Sequence, residues 1–227
     1  MQLISTIINE LTDVDISLTS PLLKTKVLAS RIRHEELKIW AGNELIGYSN
    51  IKSLPSYRIT KGEICADYIN GRYHVTSQPI PMPAFDEEIT DRLYTMHFTQ
   101  SLQNLESLAA SNSGYLTELF EPEQKKVLVH YLESQNAQAR ILNISIRTPA
   151  NFLVDILANI RARLLDFALQ LEEKYEFVTE IKELGLHNNE ITHIMNSTIN
   201  NNVLSTTINS TGTGNTITTG SNNDITR

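Results

Sequence analysis

The chain is poor in the residues that most function classes need. It has one cysteine, Cys65, in 227 residues, so an internal disulfide framework is impossible and the composition fits a reducing compartment such as the cytoplasm. A lone thiol inside a strand-like run reads as packing rather than as a nucleophile. Basic residues do not dominate: 19 Lys and Arg against 26 Asp and Glu give a net charge of −7, which argues against nucleic-acid binding through a broad basic face. No apolar run approaches the roughly 20 residues that a membrane span requires, so no membrane is expected. Residues Met1–Thr12 are amphipathic, lack a basic leader and contain Glu10, so they do not read as a signal peptide.

Catalytic signatures are also missing. There is no Gly-Lys-Ser/Thr phosphate loop, no dinucleotide fingerprint and no serine in a nucleophile-elbow sequence. His34-Glu35-Glu36-Leu37-Lys38 begins like a zinc-protease helix, but Lys38 stands where the second histidine is required. The remaining histidines are scattered, with His187 and His193 near the C-terminal end. No metal and no cofactor are expected.

What is present concentrates between Leu22 and Arg58, which holds the only tryptophan, Trp40. Ser20 suits an N-cap and Pro21 a first helical turn, so a helix is predicted to start there. Leu23 and Val27, and one row over Leu28 and Ile32, recur at helical spacing. After a charged break at Arg33 and His34, a second helix is predicted over about 35–48, with Leu37, Trp40, Ala41, Glu44, Leu45 and Tyr48 on one face. Glu44 is the anomaly, an acid on an apolar stripe. A buried carboxylate needs a cationic or hydrogen-bonding partner, and Lys26, Arg31 and Arg58 are the candidates. Two readings stay open: a structural ion pair that fixes the helical hairpin and the Pro55-Ser56-Tyr57-Arg58 crossing, or an acid or base in a pocket.

The segments KTKVLASRI, ELKIW, NELIGY and LPSYRI, in that order and spacing, resemble the N-terminal domain of the AbiTii family over about residues 3–59. The resemblance implies a role in bacterial abortive infection, a form of antiphage defence. It supplies no catalytic residues. Trp40, Glu44, Tyr48, Tyr57 and Arg58 stand out as its structural or binding motif.

Around this stretch the chain reads as α+β and mainly helical. Leu3, Ile4, Ile7, Ile8 and Leu11 mark a first helix. After Arg58 the period changes to two, and Asn70-Gly71 between alternating runs predicts a β-hairpin at about 57–78 with a type I′ turn. That register sets Tyr68 opposite Tyr73, Ala66 opposite Val75 and Asp67 opposite His74. Further helices are predicted from Asp86, which caps the first of them, beyond Thr99 and from Pro122. Residues 140–147 alternate as a strand that could join the hairpin. Thr148 and Pro149 are predicted to open the longest helix, running to about Lys174, with Leu153, Leu157, Ile160, Leu164, Phe167 and Leu171 in heptad spacing. A short helix through Ile181 and Leu184 ends at Gly185.

The chain thus divides into a helical domain over 1–185 and a tail over 186–227. The tail is almost entirely Asn, Thr, Ser, Gly and Ile, and from His187 onward its only charged residues are Glu190, Asp224 and Arg227. Thr198-Ile199-Asn200, Thr207-Ile208-Asn209 and Thr216-Ile217-Thr218 recur nine residues apart. β-Branched residues, Asn ladders and no proline suit stacked strands, and one copy would leave its edges open. An intermolecular β-stack or trimeric β-solenoid is therefore expected, with Ile199, Asn200, Ile208, Asn209 and Ile217 as assembly residues. A polar disordered tail is the alternative.

Two functions from different classes follow. One is a non-catalytic sensor, adaptor or scaffold of antiviral defence, a homo-oligomer whose body binds a phage or host protein. The other is a toxic enzyme acting on nucleic acid or a nucleotide, with Glu44 and Lys26, Arg31 or Arg58 in its pocket. A partner-binding half of a two-gene system also fits.

Overall fold

The computed structural model describes residues 2–81, 86–111, 114–135, 139–176 and 180–200. In chain order the elements are α1 (Gln2–Thr12), α2 (Thr19–Ile32), α3 (Glu35–Ile46), β1 (Ile59–Lys61), β2 (Glu63–Asn70), β3 (Tyr73–Pro79), α4 (Glu87–Tyr94), β4 (Thr95–His97), α5 (Leu102–Ala110) and β5 (Tyr115–Leu119). They continue with α6 (Pro122–Gln135), β6 (Ala139–Pro149), α7 (Asn151–Lys174), α8 (Ile181–Leu184) and α9 (Asn188–Thr198). Single 3-10 turns lie at Ile51–Ser53, Ser56–Arg58 and Gly185–His187. The architecture is mainly helical with small antiparallel sheets, and it forms two units: residues 46–158, and the described parts of 1–45 with 159–227.

In the helical unit, α1 buries Ile4, Ile7 and Leu11, one face at spacings of three and four. Its C-terminal carbonyls have no partner within the helix. Arg161 of α7 supplies one: Nη1 donates to the carbonyls of Leu11 and Asp13 at 3.0 and 2.9 Å, and Nη2 to that of Ile16 at 2.7 Å. Of the two rows predicted on α2, the one holding Leu28 and Ile32 is buried and the one holding Leu23 and Val27 is not. Leu22, Thr25, Leu28, Ala29 and Ile32 face inward, while Leu23 and Val27 are 51% and 45% exposed. Thr25 is tolerated inside because its hydroxyl donates to the Pro21 carbonyl at 2.8 Å. Ser20 does not cap the helix; its hydroxyl donates to Glu10 and accepts from Lys24, and Lys24 also pairs with Glu10 at 2.6 Å.

α2 ends at Arg33 in the left-handed conformation, φ 58°. His34 then takes the N-cap role at α3. Its Nδ1 accepts the Leu37 N–H at 3.2 Å, which leaves the proton on Nε2, 3.0 Å from the Thr192 hydroxyl of α9. That hydroxyl donates in turn to the Asn188 carbonyl. Both ring nitrogens are engaged only in the neutral form, and burial pushes the His34 pKa below its ordinary value.

α9 corrects the expected boundary of the tail. Residues 188–198 carry tail-like composition, yet Ile191, Ile194, Met195 and Ile199 recur at helical spacing and are buried. Ile199 is therefore no β-rung. It closes α9, and its carbonyl accepts from Arg163 Nη1 of α7 at 2.7 Å. Asn200 is the last described residue, and Ile208, Asn209 and Ile217 lie outside the described residues.

In the second unit a four-stranded antiparallel sheet has the order β3-β2-β6-β5. The predicted third strand is there, since β6 pairs with β2 from Glu63↔Arg147 to Asn70↔Ala139. The hairpin register differs from the expectation. Asn70 pairs with Tyr73, Ile69 with His74 and Tyr68 with Val75, so the loop is Gly71-Arg72. Gly71 has φ 59° and Arg72 does not share a positive φ, the pattern of a Gly-first type II′ turn. A bulge between Ala66 and Tyr68 then resets the pairing, and Asp67 accepts the Ser77 N–H at 2.7 Å instead of facing His74. β6 runs through Thr148 and Pro149, which pair with Leu116 and Tyr115, so α7 opens at Asn151 and not at Thr148. Of the heptad positions on α7, Leu153, Ile160, Leu164, Phe167 and Leu171 are buried; Ile156 is buried where Leu157 was expected. Ile64, Ala66, Leu93, Leu128 and Ile144 form a core between the sheet, α4 and α6. β1 and β4 make a separate two-stranded ladder, Ile59↔His97 to Lys61↔Thr95.

Candidate functional site

The motif residues of the second unit build one knot of main chain. α3 stops because Gly47 adopts φ 96°, and a Cβ there would stand 2.7 Å from the Thr99 carbonyl oxygen. That reversal lets the Tyr48 N–H donate to the same carbonyl at 2.8 Å. Leu54-Pro55 brings the chain back extended, and the 3-10 turn Ser56–Arg58 closes when the Arg58 N–H donates to the Pro55 carbonyl at 3.0 Å. Tyr57 and Arg58 are thereby turned inward, Arg58 completely.

A guanidinium without water must meet acceptors. Arg58 Nη1 donates to the carbonyls of Phe98 and Gln100, each at 2.9 Å, and the ring of Tyr48 lies with its centroid 5.1 Å from the guanidinium carbon. The Arg58 carbonyl accepts the Phe98 N–H at 2.9 Å. Tyr48, Arg58 and residues 98–100 are thus one interlocked set. Phe98 adds a tilted ring contact with Phe152, centroids 5.2 Å apart.

Trp40 and Glu44 sit on α3 in the helical unit. Trp40 is buried, and Glu44 is buried completely and is engaged. Lys26 and Arg31 belong to the exposed face of α2. The Lys26 ammonium reaches to within 3.8 Å of where a Cβ on Gly42 would stand, and Arg31 borders a depression shared with Gln2, Thr6 and Lys182. Lys26 and Arg31 therefore stand on a surface, whereas Arg58 is committed to two carbonyls.

Other chemistry-bearing groups are buried or paired with one another. Cys65 is buried in β2, and burial pushes its thiol pKa up. Tyr175 donates to Glu190 at 3.1 Å; burial, helped by that acceptor, pushes the phenol up to about 12. Glu190 also pairs with Lys174 at 2.7 Å and lies 3.6 Å from His187 Nδ1. Among the described residues no group of three or more His, Cys, Asp or Glu could hold a metal ion. Sequence reasoning missed Arg161 and Arg163, and it missed the capping role of His34. The available signal was a pair of arginines flanking the apolar stripe of α7, the same kind of anomaly that singled out Glu44.

The AbiTii family model matches residues 2–197. The chain belongs to the AbiTii family. The match extends far past the 3–59 stretch that carries the visible motifs and takes in both units and nearly all of α9. Membership implies abortive infection, that is, antiphage defence. No curated protein and no solved structure matches the chain. Within this AbiTii chain, no helix among the described residues is long and apolar enough to cross a membrane.

Proposed function

We propose that this AbiTii protein is a non-catalytic sensor, adaptor or scaffold of bacterial abortive infection. It works in the cytoplasm, its folded body recognises a phage or host protein, and its C-terminal repeats draw copies together. The observation that carries this reading is the fate of Arg58: both protons of Nη1 go to main-chain carbonyls, so the most chemically potent residue of the motif organises backbone instead of meeting a substrate. Gly47 and Tyr48 act in the same way.

The assembly is tested with a stop codon after Asn200. A cut after Gly185 would remove α9 and its buried side chains along with the repeats. Light scattering should find an oligomer for the full chain and a lower mass for the truncated one; equal monomer masses would sink the reading. The competing assignment, a toxic enzyme built on Glu44, is tested by Glu44→Gln in cells challenged with phage. A variant that keeps its circular dichroism and loses killing would favour the enzyme. Loss of the fold would mark the carboxylate as structural.

A further inference from the structure

The outward face of α2 plays no part in the knot around Arg58. Leu23, Lys26, Val27 and Ser30 stand zero, three, four and seven residues along one stripe, and they border a groove of about 440 Å³ whose floor also includes Leu3 of α1. Three lysines rim it. Lys24 and Lys38 are matched by Glu10 and Glu35, at 2.6 and 3.1 Å, while Lys26 has no ion pair among the described residues. Leu3 also borders the neighbouring depression that holds Arg31 and Lys182 beside Glu180. In a chain of net charge −7 this is a local excess of positive charge around exposed aliphatic carbon. The lysine-rich half of the KTKVLASRI segment lies here, while Thr25, Leu28, Ala29 and Ile32 of that segment face inward.

The same helical unit carries the complement. On α7 and just beyond it, Leu169, Glu172, Glu173 and Glu176 follow the identical spacing of zero, three, four and seven and border a depression of about 540 Å³. Leu169 is 44% exposed, close to the exposure of Val27. Glu172 accepts the Ser5 hydroxyl with Oε1 at 2.6 Å, and Glu173 and Glu176 face solvent. The α2 stripe sets one lysine, Lys26, between Leu23 and Val27, the α7 stripe sets three glutamates after Leu169, and the signs are opposite.

We infer that the α2 groove receives the α7 stripe of a second copy of this chain. Leu169 then covers Leu23 and Val27, and the carboxylates of Glu172 and Glu173 meet Lys26. Two helices with matched ridges pack by interdigitation, and opposed charge selects the register and raises the association rate. The aliphatic floor favours a protein helix over a phosphate backbone, which would be served by the lysines alone. This contact uses only folded surface, so it stands or falls separately from assembly through the repeats.

The test is charge reversal in the full-length protein, read as association strength from light scattering over a dilution series. Lys26→Glu alone and Glu173→Lys alone should each weaken association about 10-fold. The double variant, with the pair reversed, should recover most of the loss. Raising salt from about 50 to about 500 mM should weaken the wild type and have less effect on either single variant. Both residues are exposed, so unchanged circular dichroism is expected. Insensitivity to both single reversals, or a double variant as weak as the sum of the singles, overturns the inference. If the reversals do nothing while the stop after Asn200 abolishes assembly, this contact fails and the repeat-driven reading stands. If the reversals weaken association while the stop leaves it intact, the groove contact stands and the repeats are not what joins the copies. A chain that stays monomeric in every case defeats both.

Discussion

Removing the Arg58 guanidinium while keeping its volume should show how much of the second unit depends on it. Arg58→Met leaves the Phe98 and Gln100 carbonyls without their charged donor. A hydrogen bond from a charged group contributes about 1.5–3 kcal/mol. The Phe98 bond is buried and takes the full figure, while the Gln100 bond is only partly buried and takes less. Loss of the contact with Tyr48 adds about 1 kcal/mol. Against this, methionine needs no desolvation of a charge, which returns a few kcal/mol. The balance is a destabilisation of about 3 kcal/mol, or roughly 6–12 °C in Tm for a chain of this size. Arg58→Lys should cost about half as much, since an ammonium can reach a carbonyl but cannot lie flat on the tyrosine ring. Urea unfolding followed by far-UV circular dichroism measures both. Combining each variant with Tyr48→Leu isolates the ring contact as a coupling of about 0.5–2 kcal/mol. A methionine variant as stable as the parent would refute the reasoning, because the two carbonyls would then have found other donors at no cost.

Three further outcomes follow from single residues. Gly47→Ala forces a side chain into φ 96° and against the Thr99 oxygen, and should destabilise by about 2–4 kcal/mol, measured as a shift in urea midpoint at constant slope. His34 is held neutral, with its pKa below the ordinary value of about 6.5, so the unfolded chain binds the extra proton first. Its contribution is therefore complete above about pH 6.5 and declines as the pH falls toward the folded pKa; His34→Asn, which keeps a capping acceptor, should flatten that part of the stability–pH curve, and parallel curves would contradict the tautomer assigned here. Cys65, buried and with its thiol pKa raised, should react with a thiol reagent only as fast as the unit opens, so a burst of labelling in native buffer would show that β2 is not packed as described.

Some of this was legible beforehand because it rests on spacing between near neighbours. The apolar faces of α1 and, as far as Glu44, of α3, the strand alternation of β6 and the extent of α7 to Lys174 follow from periodicity within one element, and the cap at Asp86 from its residue type. α3 ends at Ile46, so Tyr48 lies beyond the helix on which it was expected. Where two stripes competed, as on α2, the sequence could not say which one faced inward. The choice lies with the neighbours: Thr25 can go inside because a carbonyl accepts its hydroxyl, and Leu23 and Val27 are left on the surface. β5 carried no usable signal, since four of its five residues are exposed and its order comes from pairing with β6.

Composition misled at the C-terminal side because Asn and Thr are compatible with either a helix or a polar tail. Only packing of Ile191, Ile194 and Met195 decides for α9. The sequence alone determined that Glu44 was out of place on an apolar stripe, that Arg58 was a candidate to neutralise it, and that the family was AbiTii. Tertiary structure decided what surrounds the arginine. The carbonyls of Phe98 and Gln100 lie 40 and 42 residues further along the chain, and no local pattern can announce acceptors that chain folding brings from that distance.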